Sequence, residues 1–492
     1  MEVYQDRSER EIKILERTDI LVVGAGLGGI CAALSAARAG MRVVLAEKNA
    51  VLGGQAAEID TWGLDGFVDR TGRLAVKGYP WEILQETLKE GGSDPLFTQI
   101  NLQTMQEKGI GDELRRIGLD AYVPYVDTGT FMNPFNDQYV NPNAYRYIAH
   151  RLLEQAGVEV LLGMPAVDVI MEESIVRGVV LQGEFEKFVV FAGRIVDTTQ
   201  GASVCALAGK RFAWPKAYVG TLPRVCGVDA GQLIEYIRST PEEQWFLRPM
   251  VGKRADPDEM EQLLRAGAPL AIHGFTGALK QAVKDDPAYR LIERMCDVLM
   301  FFYEADGVGA YWAIDDTLHH TNVSDPKEFA AAICAVRQQQ WLVHKFFTRY
   351  IPGFAHAQLL DTYVNISKAY HQTWEPSGFT EYDITPEEIK NGRTEREDRI
   401  VKILGHPMSG QNAGGWYVPL AALIPKELDN ILVTGKAACR KIHYIASCGL
   451  VGQAAGAAAV QSLRQGRPFR QTEAEAVREL LRQQNVLISE EV

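Results

Sequence analysis

The chain is poor in the features that tie a protein to nucleic acid, metal or membrane. Its 51 Lys and Arg are outnumbered by 63 Asp and Glu, for a formal net charge of -12. No overall positive field can therefore neutralise a phosphate backbone, and nucleic acid is not an expected partner. The seven cysteines, at 31, 205, 226, 296, 334, 439 and 448, include no CxxC pair. No disulfide framework, zinc ribbon or iron-sulfur ligand set is readable, and a reducing compartment fits. His319-His320 and Asp315-Asp316 are adjacent pairs that do not converge on one ion, and no further ligand spacing follows, so no metal is expected. The first residues, MEVYQDRSEREIKILERTD, alternate acid and base without an apolar core. That is not a secretory signal, and a cytoplasmic location is expected.

Two uncharged stretches, Ile20 to Ala37 and Tyr444 to Leu463, approach the length of a membrane span, roughly 20 residues. The first contains four glycines between Gly24 and Gly29 and the second is rich in small residues, so both read as buried segments of a water-facing fold with no membrane span. Across 492 residues, 47% hydrophobic and 23% charged, the composition is that of a globular α/β protein with roughly three domains' worth of chain. There are no repeats and no low-complexity segments.

Thr18 to Val23 reads as a buried strand running into Gly24-Ala25-Gly26-Leu27-Gly28-Gly29, which satisfies GxGxxG at 24, 26 and 29. Gly24 permits the tight turn, Gly26 lets a pyrophosphate approach the backbone, and Gly29 lets the following helix pack on the sheet. The helix N-terminus, with Leu27 and Gly28 at its mouth, then faces the phosphates without needing a lysine. A helix from about Ile30 to Gly40 and a strand from Arg42 to Ala46 follow. The strand ends in Glu47, where a carboxylate would accept hydrogen bonds from an adenosine ribose. Beyond Glu47-Lys48 comes a second glycine turn, Gly53-Gly54-Gln55.

Further along, Trp81 to Lys89 and Asn143 to Gln155 show helical spacing, and Val158 to Leu162 reads as a strand. Short β-type runs from Ala166 onwards, Val167 to Met171, Val176 to Leu181 and Phe185 to Phe191, predict a β-meander that leads to a buried strand, Arg194 to Asp197. Aromatics and long helical patterns such as Lys327 to Tyr350 then mark an inserted α+β substrate or cap domain over 212–399. The expected organisation is a Rossmann-like dinucleotide domain over 17–211, the insertion, a return segment over 400–470 and a helical tail over 471–492. The return contains the strand Asn430 to Thr434, Gly435, and a small-residue helix from about Gly449 to Gln465.

In order, these blocks resemble the FAD-dependent oxidoreductases of the fumarate reductase and glutathione reductase-like flavoprotein superfamily. The resemblance rests on Gly24 to Gln55, on Asp197-Thr198-Thr199-Gln200-Gly201, on Tyr350-Ile351-Pro352-Gly353-Phe354, on Val418-Pro419-Leu420 to Ile424-Pro425, on Asp429 to Lys436, and on Gly452-Gln453-Ala454-Ala455-Gly456. It implies a glutathione reductase-like FAD-binding domain, with FAD rather than NAD as cofactor. Cofactor contacts would come from the glycine turn, Glu47, Lys48, Gly53, Gly54, Gln55, Ala166, Thr199, Gly201, Gly435, Gly452, Gln453 and Ala454. For Gly452 to Gly456 the other reading is close helix packing. The sequence departs from many members at Tyr370-His371-Gln372-Thr373-Trp374-Glu375-Pro376, where they have an arginine-rich stretch, which argues against a carboxylate clamp.

A flavin that accepts hydride needs a base for the substrate's remaining proton and a group to hold developing charge. The resemblance maps the family's histidine onto His443, which titrates near neutrality and is either that base or a structural histidine. Arg440 and Tyr444 flank it, as charge stabilisers or as a salt bridge and a buried phenol. His371 and Trp374 would build the substrate wall or serve as packing. The expected activity is hydride transfer between a small organic substrate and non-covalently bound FAD. Only one GxGxxG is present, so electrons would come or go by diffusion or through a separate donor or acceptor. The alternative is a flavoprotein subunit of a larger electron-transfer complex. A homo-oligomer is compatible with either.

Overall fold

The computed structural model describes residues 11–58, 64–67, 74–91, 101–116, 118, 137–138, 140–210, 217–220, 222–243, 245–247, 254–265, 267, 270–295, 299–313, 320–362, 367–370, 378–405, 412, 414–439, 441–442 and 444–488. The chain opens with strand β1 (Lys13–Val23), helix α1 (Leu27–Arg38) and strand β2 (Val43–Ala46). Helices α2 (Tyr79–Lys89) and α3 (Pro142–Gln155) follow, then strands β3 (Glu159–Leu161), β4 (Ala166–Glu172), β5 (Ile175–Gln182) and β6 (Lys187–Asp197).

These strands form one mixed sheet in the order β3-β2-β1-β6-β5-β4. The strands β3, β2, β1 and β6 are parallel, and the β4-β5-β6 meander is antiparallel. Ile20 to Val23 is buried on both faces, as a parallel strand sandwiched between layers must be. Two strands expected from the sequence, on either side of Gly193, are one continuous β6. Arg194 does not interrupt it, because its guanidinium reaches Ser462 Oγ at 2.7 Å and the Arg467 carbonyl at 2.8 Å.

The middle of the chain builds a second, antiparallel sheet. Its strands are β7 (Arg224–Cys226), β8 (Phe246–Leu247), β9 (Leu270–His273), β10 (Met300–Ala305), β11 (Val308–Trp312) and β12 (Gln358–Asp361), in the order β8-β9-β10-β11-β7-β12. The 25-residue helix α4 (Pro326–Tyr350) is capped by Asp325, whose side chain accepts from the N–H groups of Lys327 and Glu328. It packs an aromatic seam onto this sheet, with Phe347 stacked on Tyr311 at 4.5 Å between ring centroids. The Tyr350 to Phe354 run ends α4: Gly353 has φ +94°, its carbonyl accepts from Asp229 N–H, and Phe354 is fully buried against Phe301. That motif is a packing element of the second sheet.

The chain returns to the first sheet as β13 (Ile431–Val433), parallel to the last residues of β6. Helix α5 (Ile445–Gln465) and helix α6 (Ala474–Gln483) complete it. Almost all of α5 is buried, which explains its apolar composition. Among the described residues, no helix is long and apolar enough to cross a membrane. Both α1 and α5 begin earlier than their glycine patterns suggest, at Leu27 and Ile445, because Ile30 N–H bonds the Gly26 carbonyl and Cys448 N–H bonds the Tyr444 carbonyl. The helix α5 lies in close contact with α1, backbone to backbone. The residue pairs Val23 with Ala46, Val23 with Asp197, Ala46 with Leu161 and Val433 with Asp197 bring the carboxyl ends of five strands to one edge. An open α/β sheet presents its ligand crevice at that edge.

Candidate functional site

The glycine turn sits at this edge. Gly24 has φ +99° and donates from its N–H to the Ala46 carbonyl at 2.8 Å. A Cβ there would lie 2.9 Å from Thr198 Oγ1. A Cβ on Gly29 would lie 1.8 Å from the Gly24 carbonyl oxygen, so α1 can leave the turn this steeply only with glycine. Gly26 is different: it is half-buried and extended (φ -67°, ψ 176°), and a Cβ would meet nothing within 4 Å. It caps α1 without a side-chain hydrogen bond, and the first turn of α1 holds no acid. The open backbone and the positive helix end together make a place that favours negative charge.

Glu47 is pinned beside the turn. One carboxylate oxygen accepts from Ala25 N–H at 2.7 Å and the other from Asn49 N–H at 2.9 Å, while the side chain is almost fully buried. The second glycine turn docks edge-on: Gly53 N–H donates to the Ala25 carbonyl at 2.8 Å, and a Cβ on Gly54 would lie 2.9 Å from Gly26 Cα. Positive φ at both Gly53 and Gly54 makes this approach possible. Lys48 and Gln55 are exposed at its rim, and Ala166 is half-buried at the start of β4.

At the end of β6, Asp197 is fully buried, and its carboxylate collects Thr199 N–H, Thr199 Oγ1–H, Val204 N–H and Cys205 N–H. Burial nevertheless pushes its pKa up to about 6, because desolvation outweighs those donors. Its role is to shape the Thr199 to Gly201 turn, which is partly exposed at the same edge. Thr198 closes the joint by placing its hydroxyl 2.6 Å from the Gly24 carbonyl.

The return segment forms the opposite wall. Gly435 has φ +60°, and a Cβ on it would meet nothing within 4 Å. Lys436 follows; burial lowers its ammonium pKa, and among the described residues no carboxylate pairs with it. Ser447, in the first turn of α5, is fully buried, and its hydroxyl finds no hydrogen-bond partner. Tyr444 is the N-cap of α5 and is buried, its side chain packed on Gly66.

Gly452 and Gly456 make the seam with α1. Added Cβ atoms would lie 2.0 Å from the Gly28 carbonyl oxygen and 2.3 Å from that of Ala32. Gln453 uses its amide within the chain, accepting Tyr79 N–H at 2.9 Å and donating to Gln484, and Ala454 is buried beside it. His443, Arg440, His371 and Trp374 lie outside the described residues. Of the residues expected from the sequence to bind the cofactor, Gly24 to Gly29, Glu47, Gly53, Gly54, Thr199, Gly201 and Gly435 gather at this edge from the two ends of the chain, whereas Gly452 to Ala454 lie in the helix seam. Sequence reasoning assigned no role to Lys436 or Ser447. A lysine directly after a strand-terminal glycine was the available signal for the first; nothing in the sequence marks the second.

The residues present fit a dinucleotide. Gly26 provides backbone where a Cβ would fill the cradle, Glu47 provides preoriented acceptors beside it, and Ser447 is a buried hydroxyl lacking a partner. A family model described as FAD dependent oxidoreductase matches residues 19–481. A fumarate reductase (cytochrome) from Shewanella frigidimarina is 23% identical over 212 residues, which take in 41% of this chain and 37% of that protein's length. Among solved structures, a geranylgeranyl bacteriochlorophyll reductase-like protein from Thermoplasma acidophilum is 13% identical with a TM-score of 0.43, covering 95% of this chain and 83% of the other. L-proline dehydrogenase from P. horikoshii is 12% identical with a TM-score of 0.36, covering 95% and 99%.

Proposed function

The chain belongs to the FAD-dependent oxidoreductase family, and on that premise we propose that it moves a hydride between a small organic molecule and non-covalently bound FAD. The observation that carries the reading is the open cradle at Gly26, with Glu47 fixed beside it and α1 aimed at it. FAD supplies the two-electron acceptor or donor. The chain holds its diphosphate on the N–H groups of the first turn of α1 and its adenosine ribose on the carboxylate of Glu47. In the oxidative direction a substrate C–H bond gives up hydride, two electrons with one hydrogen, and the substrate's O–H or N–H gives its proton to a base. His443 is the base in this reading, with Arg440 and Tyr444 beside it and His371 on the substrate wall.

The test is anaerobic mixing of purified holoprotein with alcohols, sugars, hydroxy acids, amines and, after prior reduction, enoates, read as bleaching or return of the flavin band. A member of one class that changes the band within seconds supports the proposal; silence across all classes opposes it. A second reading, a flavoprotein that passes electrons to a separate redox protein, is favoured by the partial similarity to the Shewanella fumarate reductase. Full turnover with a soluble dye acceptor speaks for the first reading. Dependence on an added protein fraction speaks for the second.

A further inference from the structure

We propose that Gln484, at the end of α6, is a positioning residue for the FAD site: it fixes the far end of α1, so that the first turn of that helix stays aimed at the cofactor's diphosphate. The proposal rests on the reading of that turn as the diphosphate cradle. Ser35 on α1 and Gln453 on α5 are fully buried, and Gln484 almost so. The Ser35 hydroxyl donates to Gln484 Oε1 at 2.8 Å, and Gln484 Nε2 donates back to the Ser35 carbonyl at 2.9 Å. Gln453 Nε2 also donates to Gln484, to Oε1 at 3.3 Å and to the main-chain carbonyl at 3.4 Å. Gln453 Oε1 in turn accepts the N–H of Tyr79, the first residue of α2. Four helices therefore meet in one buried polar network.

Ser35 is among the last four residues of α1, whose carbonyls have no intrahelical N–H partner. The N–H of Ala39, one turn further on, goes to the Ala36 carbonyl. The Gln484 amide completes the Ser35 carbonyl from outside the helix. All three side chains of the network are satisfied, in a place closed to water. Removing one of them leaves buried donors and acceptors unpaired, which is costly. A buried network whose members are all satisfied specifies one arrangement of the elements that carry it.

The element so arranged is α1. Near the crevice its backbone is held at Gly28 and Ala32, whose carbonyls face Gly452 and Gly456. That seam is van der Waals contact between backbones, close but not directional. Ser35 lies seven residues beyond Gly28, roughly 10 Å along the axis, and its hydrogen bonds are directional. Two separated anchors set the direction of an axis, whereas contact at one end lets it pivot. N–H groups that hold a ligand must stand within about 0.5 Å of their productive positions. Freeing the far end of α1 therefore weakens FAD binding in a protein that is still folded.

The experiment titrates FAD into apoprotein of wild type, Gln484→Leu, Ser35→Ala and Val477→Ala, read by flavin fluorescence. Urea unfolding confirms that each is folded under the conditions of the titration. Val477 is a fully buried anchor of α6 that takes no part in the network. All three variants are expected to unfold at lower urea than wild type. Gln484→Leu and Ser35→Ala are expected to bind FAD at least tenfold more weakly while folded, and Val477→Ala to stay within threefold of wild type. A merely structural network would lower the unfolding midpoint and leave the affinity of folded protein unchanged. A loss below tenfold in either folded network variant therefore overturns the proposal. So does a loss above threefold in Val477→Ala, which would assign the effect to the docking of α6 as a whole. Ser35→Ala covers a Gln484→Leu protein that does not fold. A wild-type chain that takes up no FAD, or a Gly26→Val protein that binds it as wild type does, overturns the underlying reading instead, so the two failures are distinct.

Discussion

The carbonyl oxygen of Gly28 lies where a Cβ on Gly452 would stand, 2.0 Å from it. Two helices from opposite ends of the chain therefore meet backbone to backbone, and the N-terminus of α1 is held in place by α5. Gly452→Ala is expected to destabilise the protein by roughly 1–3 kcal/mol, at the upper end because backbone on one side cannot yield. Denaturant unfolding measures it, and an unchanged midpoint would show that the seam can relax.

Gly26 gives the opposite expectation. Its backbone conformation suits any residue and its missing Cβ faces open space, so Gly26→Val should unfold at the wild-type midpoint as apoprotein. The same variant should lose FAD affinity at least tenfold, read by flavin fluorescence on titration. Equal affinity in both proteins would remove the diphosphate from this turn.

Glu47 takes its orientation from Ala25 and Asn49 N–H groups before any ligand arrives. Glu47→Arg removes both acceptors and adds a charge of the wrong sign, so the purified variant should carry little or no flavin. The ratio of flavin to protein absorbance checks this, and a stoichiometric ratio would count heavily against the ribose assignment.

Asp197 ties stability to pH. Its folded pKa of about 6 lies above the ordinary aspartate value near 3.8, so the folded state binds its proton more tightly. The stability from that proton is complete below about pH 4 and is lost as pH rises through 6, a change of roughly 3 kcal/mol for a shift of this size. Asp197→Asn lacks this term and also sets an amide N–H2 against backbone donors, so it should be less stable throughout. The gap between wild type and variant in urea unfolding should narrow from pH 4 to pH 7. A constant gap would mean that the carboxyl does not titrate there.

His443→Ala should keep FAD bound while slowing reduction of the flavin by substrate roughly a hundred- to ten-thousand-fold, with loss of a near-neutral pH dependence. Stopped-flow reduction measures both. A rate equal to that of the parent would make His443 structural and His371 the next residue to test.

The sequence by itself determined the parts whose causes are local. Strand β1, the glycine turn and Glu47 after β2 lie within 35 residues, and their order alone predicts a βαβ unit. Most element positions in the return segment were legible for the same reason, since a β-branched run, a glycine and a small-residue helix each carry their own periodicity. Only the tertiary structure decided which glycines leave open space beside them and which face another backbone. A missing Cβ reads identically in both cases, and what separates Gly26 from Gly452 is the atom opposite, contributed by a distant part of the chain. The same limit hid Ser447: a serine in a helix carries no local mark. Its burial in the first turn of α5 exists only once α5 has packed against α1.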